Sequence, residues 1–186
     1  IDISHSKKTD LLKHLKIWEQ TLSHANALFK IAPSDDLPVS HAGEWMLDNF
    51  YIVKQTFRQI KEDLPESFLS QLPKLDETSL QDHTRIFALA HEWILYSQSQ
   101  LDLTQSAAFI QYYQQVTPLT IGELWAFPIM LRIGILEQLV YAAAELTGME
   151  VTKDQRPAAH EFVFFAPANE TIVANCFLSL RLLAST

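Results

Sequence analysis

The chain has 186 residues, a formal net charge of −8, 48% hydrophobic residues and 19% charged residues. That length supports one domain with a sizeable core, and the composition excludes a disordered chain. The acidic balance, without any run of Lys or Arg, excludes nucleic acid as the main partner. A single cysteine, Cys176, excludes an intrachain disulfide and thiolate-rich zinc sites and suits a reducing compartment. Only four glycines are present, so tight turns are few and helices are favoured over an all-β fold.

The periodicity predicts a first helix over 9–31, where Leu11, Leu15, Trp18, Leu22, Ala25 and Phe29 form a stripe at spacings of three and four. The Pro- and Asp-rich stretch 32–39 connects it to a second helix. That helix is expected to start at Ser40, a good N-cap, and to run to about residue 64. Met46, Phe50, Val53, Phe57, Ile60 and Leu64 make its apolar stripe; Glu44, Asp48, Tyr51, Gln55, Arg58 and Glu62 lie nearly opposite. Residues 64–75 form a bent segment with two prolines. A third helix is expected over about 78–98, a short fourth over 104–116, and a last one over 169–184 with Ile172, Val173, Cys176, Phe177, Leu180 and Ala184 inward. Residues 149–168 read as a long connection with a short helix around Ala158–Phe165; VFF at 163–165 is the one strand-like run.

The organising stretch is 120–148, expected to be the central helix. Thr120 with Glu123 is a capping box, and Pro128 should kink the helix near Leu124–Phe127. On a helical wheel Ile121, Leu124, Trp125, Pro128, Ile135, Leu136, Leu139, Ala143 and Leu146 share one face, with Arg132 in its middle. Glu123, Glu137, Tyr141 and Glu145 gather opposite. A guanidinium on an apolar face calls for a carboxylate, and Glu44 or Asp48 is the expected partner of Arg132, with Glu92 as alternative. Interrupting charges leave a charge-free run well short of the roughly 20 residues a bilayer span needs, so no membrane insertion is expected. The fold class is all-α: six or seven helices packed as antiparallel hairpins around a central kinked helix, in a single helical domain over 1–186. The chain opens at Ile1 without an initiator Met and stops just after an amphipathic helix. It therefore reads as a piece of a longer protein, with an apolar patch expected around 172–186 where the continuation packs.

Seven histidines occur, but none falls in H-E-x-x-H and no helical i,i+4 His pair exists, so neither a metal nor a cofactor is expected. There is no G-x-S-x-G and no glycine-rich phosphate loop. Paired carboxylates carry more. Glu44 and Asp48 are i,i+4, and Trp45, Tyr51, Trp93 and Trp125 supply aromatic planes, a combination suited to sugars. The plain alternative is first-turn acids favoured by the helix dipole and Trp residues in the core.

Five strings carry a resemblance: HAGEWMLDNF (41–50), DLPESFLSQLPKL (63–75), RIFALAHEW (85–93), PLTIGELWAFPIMLR (118–132) and NETIVANCFLSLRLL (169–183). In this order they resemble the N-terminal region of the cyclic β-1,2-glucan synthase family, large bacterial inner-membrane proteins that join a processive glycosyltransferase to phosphorylase-like and cyclisation domains. The resemblance implies a helical domain ahead of the glycosyltransferase, on the cytoplasmic side of the inner membrane. Its partners would be the remaining domains of the same polypeptide and β-1,2-glucan. It supplies no catalytic residue, because the transferase's Asp-x-Asp and Gln-x-x-Arg-Trp motifs do not occur here. Glu44, Trp45, Asp48, Asn49, Glu123, Trp125 and Arg132 are the candidate substrate-binding residues. The rival readings are a glycoside-active domain pairing Glu44 or Asp48 with Glu92 or Glu123 as acid and base, and a purely structural interaction module.

Overall fold

A computed structural model describes residues 10–31, 37–75, 84–151 and 168–185. Among them are seven helices, α1 (Asp10–Ile31), α2 (Leu37–Asp63), α3 (Glu66–Leu69), α4 (Arg85–Tyr96), α5 (Leu103–Gln114), α6 (Ile121–Thr147) and α7 (Asn169–Ala184), and no strand beyond an isolated bridge between Lys74 and Thr84. The fold is all-α. The expected helix near Ala158–Phe165 and the VFF run lie outside the described residues.

Local sequence explains the boundaries. α6 starts on the expected capping box: the Thr120 side chain accepts from the Glu123 amide while the Glu123 carboxylate accepts from the Thr120 amide at 2.9 Å. It ends at Gly148, whose φ of 68° is the left-handed cap that glycine adopts without strain. It is assigned as continuous helix through Pro128. α4 begins at Thr84, whose hydroxyl accepts from the Phe87 amide, and α5 at Asp102, whose carboxylate accepts from the Gln105 amide at 2.8 Å. The start of α2 differs from expectation. Ser40 lies inside the helix, which already includes Leu37 and Pro38; proline is tolerated in a first turn, where its missing N–H would have no partner.

The stripe of α1 is buried in full, from Leu11 to Phe29, as are Met46, Val53, Phe57, Ile60 and Leu64 of the second apolar stripe, with Phe50 half-buried. α6 is the centre, packing on α1, α2, α4 and α7, and α7 packs on α2 as well. This enclosure corrects the two-faced wheel. Glu123 and Glu137, placed on the polar side, are buried at 0% and 2% exposure, whereas Ile121 and Trp125, placed on the apolar side, are 73% and 76% exposed. A helix covered on most sides has no continuous solvent stripe; its exposed residues are Ile121 and Trp125 near its start and Glu145 near its end, where the wheel places an acid on the polar side. By length and hydropathy α6 could cross a membrane, but 78% of its apolar window is buried inside the protein.

α7 turns Val173, Cys176, Phe177, Leu180 and Leu183 inward, and Ala184 is exposed. The apolar surface anticipated around 172–186 is therefore mostly covered. Within it Leu178 is 46% exposed, and among the larger exposed apolar side chains elsewhere are Val116, Ile121 and Trp125.

Candidate functional site

The acids and aromatics singled out from the sequence are held by three different neighbourhoods. Glu44 and Asp48 are exposed on α2. On the same helix Trp45 stacks on Phe177 with ring centroids 6.3 Å apart, and the Arg181 guanidinium lies 6.0 Å from the Trp45 ring. Arg181 also donates to the Asn49 side-chain oxygen, and Asn49 donates to the Trp45 carbonyl at 3.0 Å. Trp45 and Asn49 thus join α2 to α7.

Glu123 forms a two-pronged pair with Arg85 of α4, at 2.8 Å from Nε and 2.6 Å from Nη2. Arg85 Nη2 also donates to the Pro118 carbonyl at 3.2 Å. Burial alone would raise the Glu123 pKa, but the bonds from Arg85 and Thr120 outweigh it and hold the carboxyl below its ordinary value; the same pair raises Arg85. Both carboxylate oxygens of Glu123 are thus taken up by Arg85 and Thr120.

Arg132 corrects the expected ion pair. Its Nη2 donates at 2.7 Å to the carbonyl of Leu183, in the last turn of α7. The last carbonyls of a helix lack intrahelical donors and carry the negative end of the dipole, so backbone answers the guanidinium where a carboxylate was expected. Burial lowers the Arg132 pKa, and the charge of Asp63 partly offsets this. Nine residues of helix separate Glu123 from Arg132, about 13 Å along the axis, so the two do not share one subsite.

A third polar group on α6 was not foreseen as a contact. Glu137 Oε2 lies 3.5 Å from His91 Nε2, both buried, and the Tyr141 hydroxyl donates to Glu137 Oε1 at 3.5 Å. Burial pushes the Glu137 carboxyl up to about 8, against the smaller pull of Tyr141. It is therefore mainly protonated at neutral pH. Among the described residues no group of His, Cys, Asp or Glu is arranged to hold a metal ion. Cys176 is fully buried, which pushes its thiol up to about 12 against a bond to Ser99 and leaves it unreactive.

The described residues enclose a groove of about 1090 Å³ walled by α4, α5, α6 and the start of α7. One wall is a stack of rings: Trp93 stacks with Phe109 at 4.7 Å and with Tyr96 at 5.5 Å, with interplanar angles of 19° and 24°. The Trp93 indole is fixed by donating to Ser106 Oγ at 2.8 Å, and Ser106 in turn donates to the Asp102 carbonyl. Tyr112 and Tyr141 add two more rings. Gln98 and Ser99 form the turn after α4 in left-handed backbone conformations, φ 53° and 63°. Each such non-glycine residue costs roughly 1–2 kcal/mol. α7 holds the turn in place: Ser179 Oγ donates to the Ser99 carbonyl at 2.6 Å and accepts from the Leu101 amide at 2.9 Å, and Asn175 donates to the Gln98 carbonyl at 3.0 Å. Of the candidate aromatics, Trp93 alone lines this groove, as does Glu92, weighed as an acid. The signal that could have found the rest is the run Gln105, Ala108, Phe109, Tyr112 at helical spacing.

Over 125 residues, 67% of its length, the chain is 30% identical to the cyclic beta-(1,2)-glucan synthase NdvB of Rhizobium meliloti (strain 1021). The chain resembles a region of this synthase family. The matched stretch amounts to 4% of that protein's length. No family model matches the chain.

Proposed function

We propose that the chain is a non-catalytic helical domain of a cyclic β-(1,2)-glucan synthase that docks on the glycosyltransferase of its own polypeptide and contacts glucan, at the cytoplasmic side of the bacterial inner membrane. It needs no metal or cofactor of its own and, at a net charge of −8, takes no nucleic acid. The observation that carries the docking role is Trp125, 76% exposed near the start of a helix that is buried along most of its length. Ile121 stands four residues before it on the same side, and both belong to the string PLTIGELWAFPIMLR. A large ring left in water at the mouth of a core helix is the kind of anchor that dominates protein interfaces. The non-catalytic role is supported by the commitment of Glu123 to Arg85 and the burial of Glu137 against His91. The test is co-purification of this chain with the remainder of the synthase, expressed separately. Trp125→Glu should abolish capture while leaving the far-ultraviolet circular dichroism unchanged, and the purified chain should release no UDP from UDP-glucose. Capture that survives Trp125→Glu, or UDP release above a mock preparation, refutes the proposal.

A further inference from the structure

We infer that the groove between α4, α5, α6 and α7 is an oligosaccharide-binding site for an uncharged run of hexoses, which names where the glucan contact of the preceding proposal is made and rests on that reading. The chemistry of the lining selects the ligand. Among the described residues that line the groove none is Lys, Arg or His, so none of these residues offers a counter-charge to a phosphate, a nucleotide sugar or an acidic polysaccharide. The lining joins flat rings to amides and one carboxylate. Apolar sugar faces can lie on the rings, and Gln105, Gln138, Asn169 and Glu92 offer donors and acceptors for hydroxyls. The volume, about 1090 Å³, lies just above the roughly 300–1,000 Å³ range of ordinary ligand pockets and has room for more than one hexose.

The wall is built before any ligand arrives. Tyr96 is 76% exposed, yet it belongs to the stack carried by Trp93, whose own ring is locked by Ser106. An exposed ring held in one orientation loses little entropy on binding. The left-handed turn at Gln98 and Ser99 is a second, independent sign. Strain of this kind persists only where surrounding contacts over-determine it, and it clusters at functional sites. Here it forms part of the groove's lining and is clamped from α7 by Ser179 and Asn175.

The experiment titrates the chain with β-(1,2)-linked gluco-oligosaccharides, following tryptophan fluorescence and calorimetry, with α-(1,4)-linked malto-oligosaccharides and UDP-glucose as comparisons. Saturable binding of the β-(1,2) series is expected, with UDP-glucose no tighter than a neutral glucose unit. Tyr96→Ala and Tyr112→Ala change exposed side chains and should each weaken the affinity roughly three- to tenfold; Gln105→Ala is the milder companion. Glucan binding unchanged by both tyrosine variants would overturn the groove while leaving glucan contact intact at another surface. Absence of saturable binding by any neutral sugar would also overturn it, and the docking role would still be judged separately by Trp125→Glu. Self-association abolished by the same tyrosine variants, without sugar binding, would give the groove to a second copy of the chain and overturn the inference.

Discussion

Replacing Glu123 tests whether the Arg85–Glu123 pair is a polar fastening between α4 and α6. Glu123→Ala removes two charge-assisted bonds to Arg85 and the acid's half of the capping box. Bonds to charged groups contribute about 1.5–3 kcal/mol and a helix cap about 1 kcal/mol. Breaking a buried pair on one side costs about 3–5 kcal/mol. Arg85 keeps the Pro118 carbonyl at 3.2 Å and 21% side-chain exposure, so the loss should fall near the lower end, about 3 kcal/mol. Arg85→Met should cost at least as much, because it leaves Glu123 with only Thr120 at 0% exposure. Combining Arg85→Met with Glu123→Gln should recover part of both losses. The pH dependence has a definite sign. The folded pKa of Glu123 lies below its ordinary value, so its contribution is present above that ordinary value and disappears as pH falls through the folded one. The advantage of the wild type over Glu123→Gln should therefore shrink in acid. Urea unfolding followed by circular dichroism at several pH values measures all of this. Strictly additive losses, or a cost below about 1 kcal/mol for Arg85→Met, would refute the reasoning.

Glu137 should give the opposite pH slope. Its folded pKa is raised to about 8, so stability is greatest below its ordinary value and declines as pH rises through about 8, by an upper limit of about 5 kcal/mol at ~1.4 kcal/mol per unit; protonation of His91 opposite the charged carboxylate would lessen the slope, and Glu137→Gln should flatten it in urea titrations at successive pH values. Gly134→Ala places a methyl 2.4 Å from Ile94 Cδ1, an overlap costing about 1–3 kcal/mol against about 1 kcal/mol of gained helix propensity; Ile94→Val removes the offending methyl, so the double variant should be more stable than the two single losses predict, and additive losses would count against the close packing of α4 on α6.

The elements that followed simple local rules were legible. The α1 stripe, the capping box at Thr120 and the extent of α7 need only periodicity and the chemistry of helix ends. The helical wheel failed on α6 because it assumes one wet side, and the number of neighbours around a helix is a tertiary fact. It therefore misplaced Glu123 and Trp125 together, one buried and one exposed. Ser40 misled because a good cap residue is also tolerated within a helix when Pro38 can occupy the first turn. The groove was the least legible feature. Trp93 and Glu92 were visible as candidates, but their meeting with α5 and α6 depends on side-chain packing between helices, which spacing within one helix does not encode.

The polar residues of α6 explain how that packing reaches a single solution. Apolar contacts between helices tolerate rotation and sliding, because many side chains can fill a similar volume. Directional partners do not. Glu123 is bonded to Arg85 and Arg132 to the Leu183 carbonyl, and Glu137 lies 3.5 Å from His91, so α6 is fastened to α4 and to the last turn of α7, with a second polar approach to α4. Shifting α6 by one residue rotates each group by about 100° and would bury a charge or a polar group against apolar side chains, at several kcal/mol each. The residues next in sequence to the buried His91 and Glu137 are Glu92 and Gln138, and both line the groove. The orientation that satisfies the interior pair is therefore the one that turns a carboxylate and an amide toward the aromatic wall, and the interior pairing and the groove lining are two sides of the same helix contact.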